Sequence, residues 1–159
     1  MDTSELRRSE YVGLIAALIL VISLFLEWYS LGSDAVRDES EDWVCGVGNN
    51  SCSGFDTFPI MRWLLIAAAA APFILTYIVI RGHRLTWPRG ELTAVVGLVA
   101  FVLIAYNGVV DKPSASNIQV SLSYGYFVAL LAALGIFLAG GFRAVESGGG
   151  AQRKPPATF

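Results

Sequence analysis

Mostly apolar stretches of similar length recur four times along the chain, at about 11–31, 60–80, 92–110 and 124–142, and the charged residues within them are Glu27 and Arg62. Each is close to the ~20 residues that a helix needs to cross a bilayer. Backbone groups in lipid find no water to pair with, so segments of this length satisfy their own hydrogen bonds as helices. The pattern predicts an all-α membrane protein, a four-transmembrane-helix bundle within residues 1–146.

The residues between and beyond these stretches are predicted to form loops and a tail. The longest connection, 32–59, joins the first two helices and contains six acidic residues: Asp34, Asp38, Glu39, Glu41, Asp42 and Asp56. The last segment, 147–159, has three consecutive glycines and two prolines, and it cannot bury enough apolar surface to fold. We expect it to be a flexible tail.

Composition supports lipid as the solvent of this chain. Hydrophobic residues make up 55% of the 159 and charged residues 15%, whereas soluble domains have roughly 45–50% apolar and about 25% charged residues. The net charge of −2 and the absence of a basic run argue against a nucleic-acid partner. The lipid bilayer is the first partner that the sequence implies.

Basic residues gather on one side of the predicted helices. Eight of the 11 precede the first helix, separate the second from the third, or follow the fourth, and three lie on the other side: Arg37, Arg62 and Lys112. Cytoplasmic loops carry an excess of Lys and Arg. This distribution predicts a plasma-membrane protein with both termini in the cytoplasm and the 32–59 loop outside.

The N-terminus also resembles a cleaved signal peptide, with two arginines, an apolar run and the small residues Ser30 and Gly32. The run is long for a signal peptide, and residues 27–29 are bulky where cleavage sites prefer small side chains. We therefore favour a first helix that stays in the membrane.

Two cysteines, Cys45 and Cys52, lie in the predicted outer loop, where an oxidising environment favours a local disulfide. Trp43 and Trp28 are predicted to anchor this loop against the helix ends. A redox pair like that of the membrane thiol oxidases is an alternative, but their Cys-x-x-Cys motif and second cysteine pair are missing here. A metal site is not predicted, because the single histidine, His83, falls on the opposite side.

Three polar residues near the outer ends of the predicted helices are candidates for an intramembrane role: Glu27, Arg62 and Asn107. Glu27 is either a carboxylate that exchanges substrate for a proton in a transporter or an interfacial acid in water. Glu27 and Arg62 carry opposite charges at equivalent predicted depth, so we predict that they pair. Asn107 is expected to hydrogen-bond to a neighbouring helix.

Small residues recur at four-residue spacing on the fourth predicted helix. The positions are Gly125, Ala129, Ala133 and Gly141 on one line, and Gly135 and Ala139 on a second. Such faces let helix backbones approach closely, where dispersion holds them together. They serve either packing inside the bundle or contact with a partner protein or a second copy.

Two resemblances follow from these segments. Leu24 to Leu31 at the end of the first helix, the Gly125-to-Gly141 pattern and the alanine-rich spans resemble a group of uncharacterised four-helix integral membrane proteins of actinobacteria. The resemblance implies a bacterial plasma membrane and no particular activity. Trp43 followed by Cys45 and Cys52 in a large first outer loop is also similar to claudin-like tetraspan proteins, although the spacing differs.

These patterns predict a non-enzymatic membrane protein without a cofactor, because no nucleophile–base pair or metal-ligand set lies within one leaflet. An accessory subunit or envelope-organising protein, acting through helix faces and the outer loop, is the favoured interpretation. Another membrane protein or a second copy would be its partner. A small transporter or channel is the alternative, and a protein that handles lipid or quinone is the third.

Overall fold

The computed structural model describes residues 8–31, 45, 50–81, 89–112 and 120–148. Within them the chain is mostly helical, with a small sheet. In chain order the elements are α1 (Arg8–Ser23), β1 (Glu27–Leu31), β2 (Ser51–Ser53), α2 (Gly54–Thr57), α3 (Met61–Ile80), α4 (Arg89–Val109), β3 (Val120–Leu122) and α5 (Tyr124–Gly148).

Three of the described helices are long and apolar enough to cross a membrane, over Met61–Ile78, Gly90–Val109 and Tyr124–Val145. Between 28% and 39% of the residues in these windows are buried inside the protein. The remaining apolar side chains need another apolar environment, which a bilayer supplies. Helix α1 has 16 residues, or ~24 Å at 1.5 Å per residue. It is shorter than the ~30 Å hydrocarbon core.

The four long helices pack in a ring in which α5 lies between α1 and α4, and α3 completes the ring between α4 and α1. The contact between α4 and α5 is the most extensive. Glycines make it possible: a methyl group at Gly97 would lie 2.8 Å from Cα of Phe137 and 2.9 Å from the carbonyl carbon of Ile136. Gly90 and Gly140 meet the facing backbone equally closely.

This close approach predicts opposite effects for two glycine substitutions. Gly97→Ala is expected to lower the free energy of unfolding by about 1–3 kcal/mol, because the facing backbone has to shift. Gly141→Ala has nothing within 4 Å of the new methyl group, so helix propensity alone acts and stabilises by roughly 0.5–1 kcal/mol. Unfolding of the purified variants by SDS in mixed micelles measures both, and an equal effect at the two positions would contradict the packing described here.

The first helix is shorter than the predicted 11–31, and the prediction is wrong beyond Ser23. The last turn tightens, as Leu26 N–H donates to the Ser23 carbonyl at 3.1 Å, and the chain then continues as strand β1. The all-α prediction is corrected accordingly. A strand is possible here because both connections at this end of the helices supply partners for its backbone groups.

The last helix is longer than predicted. Helix α5 continues through Arg143 to Gly148, past the expected end at 142 and into the first two residues of the predicted tail. The apolar pattern ends at Phe142, but Arg143 remains helical because it packs against α1 through an ion pair with Glu10. The rest of the predicted tail, 149–159, lies outside the described residues.

Candidate functional site

A three-stranded antiparallel sheet covers one end of the helices. Its order is β2-β1-β3, so the central strand continues from α1 while its two partners come from the two connections at this end. Tyr29 lies opposite Cys52 on one side and Leu122 on the other. We refer to β1, β2, β3 and α2 together as the cap. It joins both connections to the helices as one hydrogen-bonded unit.

Two adjacent aromatic residues of β1 both face the protein interior. Successive side chains of a regular strand point to opposite faces, yet Trp28 and Tyr29 are each 0% exposed. The register of β1 against β2 shifts between Glu27 and Tyr29, which marks a β-bulge. A bulge inserts one residue and re-aims the local side chains, so the cap presents two consecutive large rings to the helices.

Trp28 fills the space between the cap and α5. Its indole N–H donates to the Ser23 carbonyl at 2.7 Å, so the ring also satisfies a carbonyl at the end of α1. The ring meets Tyr126 edge-on, with centroids 6.0 Å apart. A methyl group at Gly54 would lie 2.6 Å from the indole Cδ2. Only glycine at position 54 leaves room for this ring.

Tyr29 connects the cap to α4. Its hydroxyl donates to the Asn107 backbone carbonyl at 3.1 Å, and its ring meets Phe58 edge-on at 6.0 Å between centroids. Burial, followed by the nearby Tyr126 and Asp111, raises the pKa of the Tyr29 hydroxyl above its ordinary value. The hydroxyl therefore keeps its proton and remains a hydrogen-bond donor.

A disulfide joins Cys45 to Cys52, as predicted. The two Cα atoms are 5.8 Å apart, within the range that disulfides span. Cys52 is buried in β2, and Cys45 packs against the core at its edge. The cross-link holds this part of the first connection against the core. Trp43, the second predicted anchor, lies outside the described residues, as does all of 32–44.

Removing the disulfide is expected to destabilise the cap. The cysteines are seven positions apart, and closing so short a loop contributes on the order of 2–3 kcal/mol by restricting the unfolded chain. The Cys45→Ser/Cys52→Ser variant should unfold at correspondingly lower SDS than the oxidised protein. A reductant should lower the stability of the wild type alone, and an equal response of both proteins would contradict the assignment.

The predicted ion pair between Glu27 and Arg62 is not formed. Glu27 lies exposed on β1 and accepts a hydrogen bond from the Ser51 hydroxyl at 2.9 Å. The Arg62 guanidinium donates to the Phe55 carbonyl at 3.3 Å and lies 4.6 Å from the centre of the Phe55 ring. The prediction assumed two helix ends at equal depth, whereas the cap places Glu27 on a strand.

Asn107 reaches a neighbouring element through its backbone rather than its side chain. Its amide group donates to the Leu103 carbonyl at 2.8 Å within α4, and its own carbonyl accepts from Tyr29. The predicted hydrogen bond from this side chain to a neighbouring helix is therefore wrong, and the contact that Asn107 makes outside α4 is with strand β1. The bond from Tyr29 to Asn107 and the bond from Trp28 to Ser23 hold the cap against the ends of α4 and α1.

A buried ion pair near the other end of the helices was not predicted. Arg143 on α5 contacts Glu10 on α1, and their side chains are 13% and 4% exposed. The second Glu10 oxygen, Oε2, is buried without a hydrogen-bond partner among the residues that the structure describes. In the sequence, Glu10 comes just before the first apolar stretch and Arg143 comes just after the fourth. Because α1 and α5 pack antiparallel, these two ends meet, and the opposite charges there were the available signal.

The small residues of α5 are largely used inside the ring of helices. Ala129, Ala133 and Ala139 are buried. A methyl group at Gly135 would lie 3.1 Å from the Ala16 side chain, and one at Gly125 would press on Leu26 at 2.8 Å. Gly141 alone among these six predicted positions has open space around it. The geometry favours internal packing for this face.

Comparisons with known proteins identify no family for this chain. No family model, curated protein or solved structure matches it. The chemistry of the site therefore has to be argued from its own residues. In the described part of the chain, no group of three or more His, Cys, Asp or Glu side chains could hold a metal ion. The cap is a surface of paired strands joined by a disulfide, with buried aromatic rings beneath it.

Proposed function

We propose that this chain is a non-enzymatic, four-span protein of a bacterial plasma membrane with both termini in the cytoplasm. It acts as an accessory subunit or envelope-organising protein that presents its cap to another membrane protein. The observation that carries this proposal is the construction of the cap, in which three strands, a disulfide and two buried rings make one unit from both connections. A surface fixed in advance loses less entropy when a partner binds.

The cap, rather than a helix face, is the partner surface in this proposal. Most of the small residues of α5 that would let another helix approach are already covered by α1 and α4, as at Gly135 and Gly140. Strand β2 and helix α2 of the cap belong to the connection 32–59, whose six acidic residues fall in the sequence on the side with few basic residues. A partner with a basic surface fits this charge, because complementary potentials speed encounter and suppress wrong partners.

Transport has less support from the same residues. The transporter hypothesis required Glu27 to lie within a span, where its carboxylate would bind substrate or a proton. Glu27 is exposed on β1 and bonded to Ser51. The capped end of the helices is filled by Trp28, Tyr29 and Tyr126, which are at most 3% exposed.

Site-specific photo-crosslinking in intact cells tests the partner surface. A photoreactive residue at exposed Asp56 or Ser121, on the cap, is expected to give a discrete adduct with a second membrane protein. The matched control is Val102, which is 54% exposed on α4 and faces away from the cap. Adducts from Val102 but not from the cap would overturn the proposal, as would adducts from the cap that persist unchanged in the Cys45→Ser/Cys52→Ser variant.

Thiol labelling tests the orientation. After mild reduction of intact cells, an impermeant maleimide should reach Cys45, which lies at the edge of the core, whereas Cys52 is buried. The control is a single cysteine at Ala151 in the Cys45→Ser/Cys52→Ser background, which should react only after the membrane is permeabilised. The reverse pattern would place the cap in the cytoplasm and remove the proposed role in the envelope.

A further inference from the structure

An apolar groove of about 420 Å³ runs along the outside of the helix ring between α1 and α5. Two alanines, Ala16 and Ala132, form its floor and are buried. Larger side chains that are 40–67% exposed form its walls: Val12, Ile15, Ile19 and Leu131. Because the groove opens away from the helix ring and its walls are apolar, it faces the hydrocarbon of a bilayer.

The shape of the groove fits a hydrocarbon chain better than a helix. From Val12 to Ile19 the axis of α1 advances ~10 Å at 1.5 Å per residue. Its floor is two alanines and its walls are single Val, Ile and Leu side chains, so the groove is about one side chain deep. A helix of ~10 Å diameter is wider than that depth. A flexible acyl chain adapts to the space, whereas a second helix would remain outside it.

A cationic side chain lies at one end of the groove. Arg8 is one turn before Val12, on the same face of α1 as Val12, Ile15 and Ile19, because residues three or four positions apart stack along a helix. Arg8 is exposed and makes no ion pair with any residue that the structure describes. Arg143, also at this end of the helices, is paired with Glu10, so Arg8 is the exposed cation beside the groove among the residues that the structure describes.

The spacing between this charge and Ile19, the last α1 residue in the groove, matches one leaflet. Arg8 and Ile19 are separated by ~16 Å along the helix axis. Half of the ~30 Å hydrocarbon core is ~15 Å. A lipid whose phosphate meets Arg8 would therefore place an acyl chain along the α1 wall of the groove and end near the bilayer centre. This match holds for whichever leaflet contains the start of α1.

We propose that the α1–α5 groove is a binding site for an anionic phospholipid, with Arg8 as the headgroup contact and the groove as the chain contact. Charge selects the headgroup, because a basic side chain near the surface favours anionic over zwitterionic lipid. The apolar walls do not distinguish one acyl chain from another. The site does not depend on the role proposed for the cap, which lies at the other end of α1.

Lipid retention by the full-length protein tests this proposal. The protein is reconstituted in nanodiscs of equal phosphatidylglycerol and phosphatidylcholine, extracted in mild detergent, and the bound lipid is counted by native mass spectrometry. We expect the wild type to retain phosphatidylglycerol preferentially. Arg8→Gln should reduce that preference about fivefold, and Val128→Phe, which fills the groove from its α5 side, should reduce retention of both lipids.

Matched controls separate the site from general effects. Arg81→Gln removes an exposed arginine at the end of α3, and Val102→Phe enlarges an exposed side chain on α4. Both should behave as the wild type. Equal loss in Arg8→Gln and Arg81→Gln, or wild-type retention in Val128→Phe, would overturn the proposal. So would efficient disulfide-linked dimers of Leu131→Cys in the nanodiscs, because the groove would then face a second copy.

Discussion

Replacing Arg143 by Gln is expected to lower the free energy of unfolding by about 3–5 kcal/mol, one of the two largest single-residue effects in this protein. The substitution leaves the Glu10 carboxylate, whose side chain is 4% exposed, between α1 and α5 without its cation. A buried charge that loses its partner retains the full cost of desolvation. Unfolding by SDS in mixed micelles, followed by tryptophan fluorescence, measures the loss.

The double variant Glu10→Gln/Arg143→Met separates the charge effect from packing. Removing both charges together is expected to restore most of the stability, because neither is left buried alone. Arg81→Gln, at an exposed arginine beside Tyr77, should change stability by less than about 0.5 kcal/mol. If the double variant is as unstable as Arg143→Gln, the ion pair is not what holds these two helices together.

Replacing Trp28 by Ala is expected to cost about 3–5 kcal/mol, because a large buried ring leaves a cavity between the cap and α5. The side chain is 0% exposed, and its N–H is bonded to the Ser23 carbonyl. The Ser23 carbonyl then keeps only the longer hydrogen bond from Leu26 N–H, so the loss of the indole donor adds to the cost of the cavity. Thermal unfolding in detergent, followed by near-UV circular dichroism, reports the loss.

Two further tryptophan variants distinguish the cap from the membrane interface. Trp63→Ala removes the same side chain where it is 60% exposed on α3, so we expect well under 1 kcal/mol. Trp28→Phe keeps most of the ring and removes the N–H, and it should fall between the other two variants. Equal losses at Trp28 and Trp63 would show that the capped end is not packed as described.

The apolar pattern predicted helices α3 and α4 to within three residues at each end. Helix α3 begins and ends within one residue of the predicted 60–80, and it continues through Pro72. Helix α4 begins three residues before the predicted 92. In a membrane, the backbone groups of a segment must hydrogen-bond within that segment. An apolar run that is long enough to cross the bilayer therefore predicts a helix directly.

The cap was not predictable by the same reasoning. The segment Glu27–Leu31 is apolar enough to extend a helix, and its strand partners are far away in sequence: Ser30 lies opposite Ser51, and Leu31 lies opposite Val120. Strand pairing at such separation depends on how the helices bring the connections together. The bulge that buries Trp28 beside Tyr29 has no local signature in the sequence.

The candidate site was predicted only in part. The cysteine pair could be predicted because both residues lie in one polar connection on one side of the membrane. The pairing of Glu10 with Arg143 depends on which helices are neighbours, and the run lengths contain no information on that. The predicted ion pair between Glu27 and Arg62 was based on their opposite charges and equal depth. Depth alone does not determine which side chains face each other.

The order in which the chain is synthesised determines when the parts of the cap can assemble. Strands β1 and β2 and both cysteines precede α3 in the chain, whereas β3 follows α4. Because chains begin to fold from the N-terminus as they are made, the hairpin of β1 and β2 with its cross-link can form while the ribosome is still translating the second half. Strand β3 then reaches the open edge of β1 only as α5 begins. Insertion of the last helix and closure of the sheet are therefore one event in biogenesis.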